Sequence, residues 1–424
     1  MKVKLAYGRE GLDVDLPDGR TTVIEPMYSV GLADERAALT EAIQNPRAGA
    51  PLSSLVKQGD TVAISVCDVT RPIPTSRILP VLLKELTRLS PESITILVAT
   101  GTHRPTSGKE LASILGTEVL FGFRVINHEC HREDALSYLG DTASGIPIWL
   151  NREWVESDVR ITVGFVEPHF FAGYSGGPKM VAPGLAGLET ILGLHSAALI
   201  ADPNSTWGMT TGNPIHDAIR EIATGVGVTF SLDVAINRER QITGVYAGDQ
   251  ATAHGQACEF VAKTAMREVP GRFEVVVTTN SGYPLDLNLY QAVKGMSAAA
   301  RVVKSGGTII CAAECSDGIP DHGEYKKLLT SADGPKELLD KIGSPGFSCQ
   351  DQWQVQVQAQ IQLMAHVYLK STSLSSDQVR AAHLEPVASI EKKVEDVLEQ
   401  WGPEAKVCVL PEGPQTIPYV ERKQ

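Results

Sequence analysis

Short apolar runs of strand length alternate with helix-length amphipathic segments, and this alternation limits the chain to parallel sheet covered by helices. Thr61–Cys67 (TVAISVC) precedes a helical pattern over 78–89, and Ser93–Ala99 (SITILVA) precedes one near 108–115. Residues 123–127 and 159–166 read as further strands. Residues 1–20 alternate apolar and polar and close on Pro17-Asp18-Gly19, which predicts a strand pair with a turn. Turn residues intervene at Arg267-Glu268-Val269-Pro270-Gly271, and then the rhythm restarts. Strands are predicted over 274–278, 308–313 and 406–410, and helices over 289–303, 354–368 and 391–401. The expected fold is α/β, with two domains, 1–270 and 271–424, of mainly parallel sheets flanked by helices. The active site is expected in the cleft between them.

Bulk properties narrow the function. A formal net charge of -12 argues against a broad nucleic-acid surface, which needs clustered Lys and Arg against phosphates. No apolar run approaches the ~20 residues of a membrane helix, and the first residues lack the apolar core of a signal peptide. The seven cysteines are odd in number and scattered, unlike a secreted disulfide framework. The chain reads as cytoplasmic, with no nucleic-acid or membrane partner; its oligomeric state is open.

Polar clusters follow three of the predicted strands, where open parallel sheets bind ligands. In Asp68-Val69-Thr70-Arg71-Pro72, Arg71 offers a fork of donors to a carboxylate or phosphate, and Asp68 stands ready to hold it or a histidine. A surface Asp–Arg pair is the plain alternative. In Thr100-Gly101-Thr102-His103, the glycine admits a ligand to the backbone, the threonines carry hydroxyls, and His103 exchanges protons near neutrality. Thr-Gly-Thr at a strand end also suits a nucleotide phosphate. The third stretch runs from Glu167-Pro168-His169 through Gly176-Gly177-Pro178-Lys179. Its glycines and single lysine invite a P-loop reading, but the lysine precedes Met180 rather than Ser or Thr. Lys179 therefore suits covalent attachment or an anion contact. His195 is expected on the helix that 188–194 leads into, where a lone histidine beside apolar residues is more often core than ligand. His128 and His131 around Cys130 lack a fourth ligand for zinc. Farther on, Tyr290, Gln291 and Lys294 fall at neighbouring positions of a predicted helix.

Taken together, residues 68–74, 100–105, 167–184, 193–196 and 286–296 resemble the nickel-dependent lactate racemase family in order, spacing and wording. HFFAGYSGGPKMVAPG and YQAVKG carry the likeness, which spans nearly the whole chain. The resemblance implies a racemase of a small 2-hydroxy acid, lactate or a similar short aliphatic acid. It implies nickel held in a nickel-pincer nucleotide, a pyridinium-3-thioamide-5-thiocarboxylic acid mononucleotide bound covalently to Lys179. Thr100, Gly101, Thr102, Gly176 and Gly177 are expected beside that cofactor, and His195 is expected to ligate the metal. His103 and His169 match the paired acid/base histidines. Arg71 and Lys294 match the holders of the substrate carboxylate, with Gln291, Tyr290, Asp68 and Trp353 alongside. The implied chemistry is proton-coupled hydride transfer, and the implied partners are the proteins that build the cofactor. Alternatives are a racemase or epimerase of malate or a sugar acid, or a binding homologue without the cofactor. A G-x-G-x-x-G dehydrogenase fingerprint is not found.

Overall fold

The computed structural model describes residues 1–321 and 323–420. They form two compact units. One comprises Tyr28–His195 and Asp202–Lys263; the other comprises Met1–Met27, Ser196–Ala201 and Thr264–Gln424.

The first unit is built on a six-stranded sheet. Its order is Ile242–Gly248, Phe230–Ile236, Val159–Phe165, Thr61–Cys67, Ser93–Ala99 and Arg124–Asn127. All neighbours are parallel except the edge pair of Phe230–Ile236 with Ile242–Gly248. The runs read as continuous apolar stretches because both sheet faces are covered. Ile64, Val66, Ile96, Val163 and Leu232 have no exposed surface. Helix Thr75–Arg88 presents Ile78, Leu79, Leu82 and Leu86, all fully buried, at helical spacing. Each such burial contributes roughly 1.5–3 kcal/mol.

Strand order places the binding position. From Thr61–Cys67 the chain adds strands outward on one side, then returns with Val159–Phe165 on the other. The carboxyl ends of these two neighbours flank a topological switch point, where parallel α/β sheets receive ligands. Both are followed by polar loops singled out above.

The second unit has a six-stranded, wholly parallel sheet. Its order is Glu385–Pro386, His366–Lys370, Val303–Ala312, Phe273–Thr279, Val407–Leu410 and Thr21–Val23. Here the switch point lies between Phe273–Thr279 and Val407–Leu410. Val275, Val277, Ile310, Val407 and Val409 fill its core with Val394 from helix Ile390–Trp401.

Some local expectations shift. The N-terminal strand pair exists, Lys2–Leu5 with Leu12–Asp15, but it turns within 6–11. Pro17-Asp18-Gly19 instead precedes the edge strand Thr21–Val23, whose pairing with Val407–Leu410 joins the first 27 residues to the C-terminal unit. A single cut at 270 could not register that pairing. Helix Gln352–Met364 stops earlier than 368, because the β-rich His366–Lys370 pairs with Val303–Ala312. No helix among the described residues is long and apolar enough to cross a membrane.

Candidate active site

In the first unit the three loops after Cys67, Ala99 and Phe165 are tied to one another. Asp68 is buried, and its Oδ2 lies 2.7 Å from His103 Nδ1. Its Oδ1 accepts from the Thr70 hydroxyl (2.6 Å) and the Thr70 backbone N–H (3.1 Å). Burial alone would raise the Asp68 pKa, but the His103 and Thr70 hydrogen bonds and the Arg71 charge outweigh it and hold the carboxyl below its ordinary value. An ionised Asp68 can only accept, so the Nδ1–H of His103 donates to it and the neutral ring carries its lone pair on Nε2. His103 is partly exposed while its anchor is not.

Arg71 has Glu167 as its ion-pair partner, Nη1 to Oε1 at 3.6 Å. Glu167 is itself fixed through its backbone: its N–H donates to Ser175 Oγ (2.9 Å), and its carbonyl accepts from Ser175 N–H (2.9 Å). Two residues on, buried His169 starts a tight antiparallel pairing with Gly173. Its Nδ1 accepts from the Ala172 N–H at 3.2 Å, so neutral His169 bears its proton on Nε2. The two histidines thus stand in opposite tautomers, one presenting a lone pair and the other an N–H.

Phe171 is the hub of the next layer. Its ring lies 4.5 Å from that of His169 and 5.1 Å edge-on from that of His195. Lys179 Nζ is 5.6 Å from the same ring centroid, on half-buried backbone in the short helix Gly177–Met180. His195 closes helix Leu188–Leu194, and its Nδ1 is 2.7 Å from the Ile191 carbonyl. That bond places the ring proton on Nδ1 and the lone pair on Nε2. Burial pushes the imidazole down to about 4, with the Lys179 charge acting in the same direction. Asp68 and Arg71 thus tie their loop to His103 and Glu167, and His169, Lys179 and His195 gather around the Phe171 ring.

Behind the glycine loop lies a buried polar network that spacing alone does not reveal. Asp233 Oδ1 accepts from the Gly177 N–H (3.0 Å), and His254 Nε2 lies 2.9 Å from the Ser175 carbonyl. His216 Nδ1 meets the Ala172 carbonyl at 3.0 Å, and Asn213 Nδ2 donates to the Phe171 carbonyl at 2.9 Å. Burial pushes Asp233 up and both histidines down, His216 to about 3. The glycines are required by these approaches. A Cβ on Gly164 would fall 2.1 Å from Asp233 Oδ1, and one on Gly177 2.4 Å from the His254 ring.

Other expected residues are placed as follows. Gly101 has φ +55° and donates to the Gly184 carbonyl at 3.0 Å, clasping the loop that follows Lys179. Thr100 directs its hydroxyl proton to the His128 carbonyl and is buried, whereas Thr102 is half-buried in the turn. Gly176 has φ +73° and packs on Asp233. His128 commits both ring nitrogens, Nε2 to the Ala186 carbonyl (2.8 Å) and Nδ1 to Asn151 (3.2 Å). Among the described residues no three His, Cys, Asp or Glu side chains gather as a metal site.

In the second unit, Asn288 caps helix Leu289–Ala300 by accepting from the Gln291 N–H. Leu289, Ala292, Val293 and Met296 face the core, which leaves Tyr290, Gln291 and Lys294 half-buried on the other side. Lys294 Nζ donates to Gln291 Oε1 at 2.7 Å, and Trp353 Nε1 donates to the Tyr290 hydroxyl at 3.1 Å. Tyr290 also packs edge-on against Tyr325, 5.2 Å between centroids. The helix can lie on the end of strand Phe273–Thr279 because residue 295 is glycine: a Cβ there would sit 2.0 Å from the Thr279 carbonyl. Buried Asp286 accepts from the backbone N–H groups of Gly8 and Glu314, which makes it a strut.

Comparison with known proteins gives these residues a context. Residues 7–208 match the lactate racemase N-terminal domain, and residues 270–417 match the lactate racemase C-terminal domain. The chain is 33% identical over 422 residues to the lactate racemase of Thermoanaerobacterium thermosaccharolyticum, covering 98% of each. It is 36% identical over 383 residues to that of Lactiplantibacillus plantarum, covering 89% of this chain and 90% of the other. The lactate racemase apoprotein structure from T. thermosaccharolyticum superposes with a TM-score of 0.92 at 31% identity, over 99% of this chain and 100% of that one. A Thermotoga maritima protein shares the fold at TM-score 0.72 and 20% identity, over 93% of this chain and 100% of that one. The chain therefore belongs to the lactate racemase family of isomerases.

Proposed function

We propose that this chain interconverts the D and L forms of a short 2-hydroxy acid, lactate in the first instance, with a nickel-pincer nucleotide attached to Lys179. The observation that carries the reading is that Asp68 and Arg71 tie their loop to His103 and Glu167 while, in the loop after Glu167, His169, Lys179 and His195 gather around Phe171.

The residues suit the cofactor. His195 is neutral and carries its lone pair on Nε2, the form in which imidazole ligates a soft-to-borderline ion such as nickel. Phe171 borders both His195 and the Lys179 amine, which is the pairing a flat, covalently held ring requires. Thr100, Gly101, Thr102, Gly176 and Gly177 belong to the same loops. When bound, the group supplies a reversible acceptor for the C2 hydride, so that the alcohol and its planar 2-oxo acid interconvert.

The chain's own residues handle the protons and the orientation. His103 Nε2 takes the hydroxyl proton of one enantiomer, its ring held by Asp68. His169 is assigned the proton exchange of the opposite enantiomer, its ring held by the Ala172 N–H. Arg71 holds the carboxylate, so that only the C2 substituents move. Gln291 steadies Lys294, while Tyr290 and Trp353 form a bonded pair in the same unit. The seven cysteines are free thiols, in keeping with a reducing cytoplasm where the cofactor-building proteins would act.

The test is chiral analysis of D- and L-lactate with protein made together with those proteins. Equilibration by wild type, and its loss in His103→Ala and His169→Ala with the Lys179 adduct intact by mass, is the expected result. Adduct-bearing wild type that leaves lactate enantiomers unchanged would overturn the reading.

A further inference from the structure

We propose that Glu167 is a specificity-determining residue that restricts the site to 2-hydroxy acids with one carboxylate. The inference rests on the racemase reading and narrows its substrate class.

Arg71 is the cation the reading assigns to the substrate carboxylate, and Glu167 stands 3.6 Å from its guanidinium. At that separation the two are ion-paired without a hydrogen bond, which leaves the donor fork of Arg71 for an incoming carboxylate. Glu167 is not a mobile surface acid. Ser175 grips its backbone on both sides, and the Ser175 hydroxyl donates onward to the Phe165 carbonyl at 2.7 Å. Both members of the pair are about three-quarters buried, so solvent screens them only in part.

The charges of the three loops then decide which anions are accepted. Asp68 is negative and spent on His103; Arg71 is positive; Glu167 is negative. Lys179 loses its charge once acylated. One carboxylate placed on Arg71 meets a site that is already balanced by Glu167. A second carboxylate carried two carbons away meets Glu167 and Asp68, and the other arginine of these loops, Arg104, is already committed to Glu110 through a two-pronged pair at 2.6 and 2.9 Å. Repulsion at such distances in a half-buried site disfavours the dianion by tenfold or more.

The experiment compares kcat/KM for lactate and malate in cofactor-loaded wild type, Glu167→Gln and Glu167→Asp. Glu167→Gln removes the charge at constant shape, and malate is expected to gain on lactate by tenfold or more. Glu167→Asp keeps the charge and is expected to keep the preference. Wild-type kcat/KM for malate relative to lactate should also climb as salt brings the Debye length to about 8 Å or less. This last arm holds even if the variants fold poorly. A lactate-to-malate ratio unmoved by Glu167→Gln or by salt, in enzyme that racemises lactate, overturns the inference and leaves the racemase reading standing. Loaded wild type that racemises neither acid overturns both.

Discussion

Nδ1 of His195 lies 2.7 Å from the carbonyl oxygen of Ile191, one helical turn back. The bond fixes both the ring's orientation and its tautomer, and it makes Nε2 the electron-pair donor. A metal held there keeps its affinity only while that backbone contact persists. His195→Ala is expected to lose nickel while retaining the mass adduct on Lys179. Metal analysis and intact mass on the same sample separate the two, and nickel retained at wild-type stoichiometry would remove His195 from the ligand set.

Asp68 and His103 give a second prediction. The carboxylate lies 2.7 Å from Nδ1 and dictates which nitrogen is basic. Asp68→Asn preserves the shape but can present an N–H to that nitrogen, reversing the tautomer. Turnover of the enantiomer served by His103 is expected to fall by about 10²–10⁴, the span of general acid–base catalysis. Folding and cofactor loading should be kept. Initial rates from pure D- and pure L-lactate measure it. An undiminished rate from both would show that Asp68 does not set the tautomer.

Much of this was legible in the sequence, for a reason seen at Cys67, Ala99 and Phe165. A parallel strand buried on both faces reads as an unbroken apolar run, and the first polar residues after it fall at the ligand-binding edge. Asp68, His103 and Glu167 could be located in that way. Asp233 and His254 could not, since they act on Gly177 and Ser175 across 56 and 79 residues. The one local signal was Gly177 itself, whose need to be glycine comes from a ring that no nearby residue supplies. The same limit applies to Thr21–Val23, which looks like a continuation of the N-terminal hairpin until Val407–Leu410 offers it an edge.

His128 and His216 make stability depend on pH. Burial pushes them down to about 4 and about 3, and their ring nitrogens bond to neighbours in the neutral form. Unfolded, each binds a proton near pH 6.5. Below that value the unfolded state holds more protons, so stability is complete above pH 6.5 and falls as pH drops toward 4. The slope approaches about 1.4 kcal/mol per pH unit for each histidine. Denaturant melts of apoprotein at pH 7 and pH 5 should show the loss, and His128→Gln should flatten it. A slope unchanged in both His128→Gln and His216→Gln would place the acid sensitivity elsewhere.

Gly177 joins the buried network to Lys179, two positions on. Its φ is +49°, and a Cβ built there lies 2.4 Å from Cγ and 2.5 Å from Cδ2 of His254. The ring has little room to yield, since His254 Nε2 is bonded to the Ser175 carbonyl and the ring stacks on His216 at 5.6 Å. Gly177→Ala is therefore expected to cost about 2–4 kcal/mol, from overpacking together with the left-handed backbone. Because Gly177 begins the short helix that carries Lys179, the amine is displaced with it, and the fraction of chains bearing the cofactor adduct should fall. Pairing Gly177→Ala with His254→Ala removes the obstructing ring. If the clash is the cause, the double variant loses less stability than the two single losses added, as coupled neighbours do. Strict additivity in denaturant melts, with loading equally poor in the double variant, would mean that the left-handed backbone and not the His254 ring demands glycine at this position.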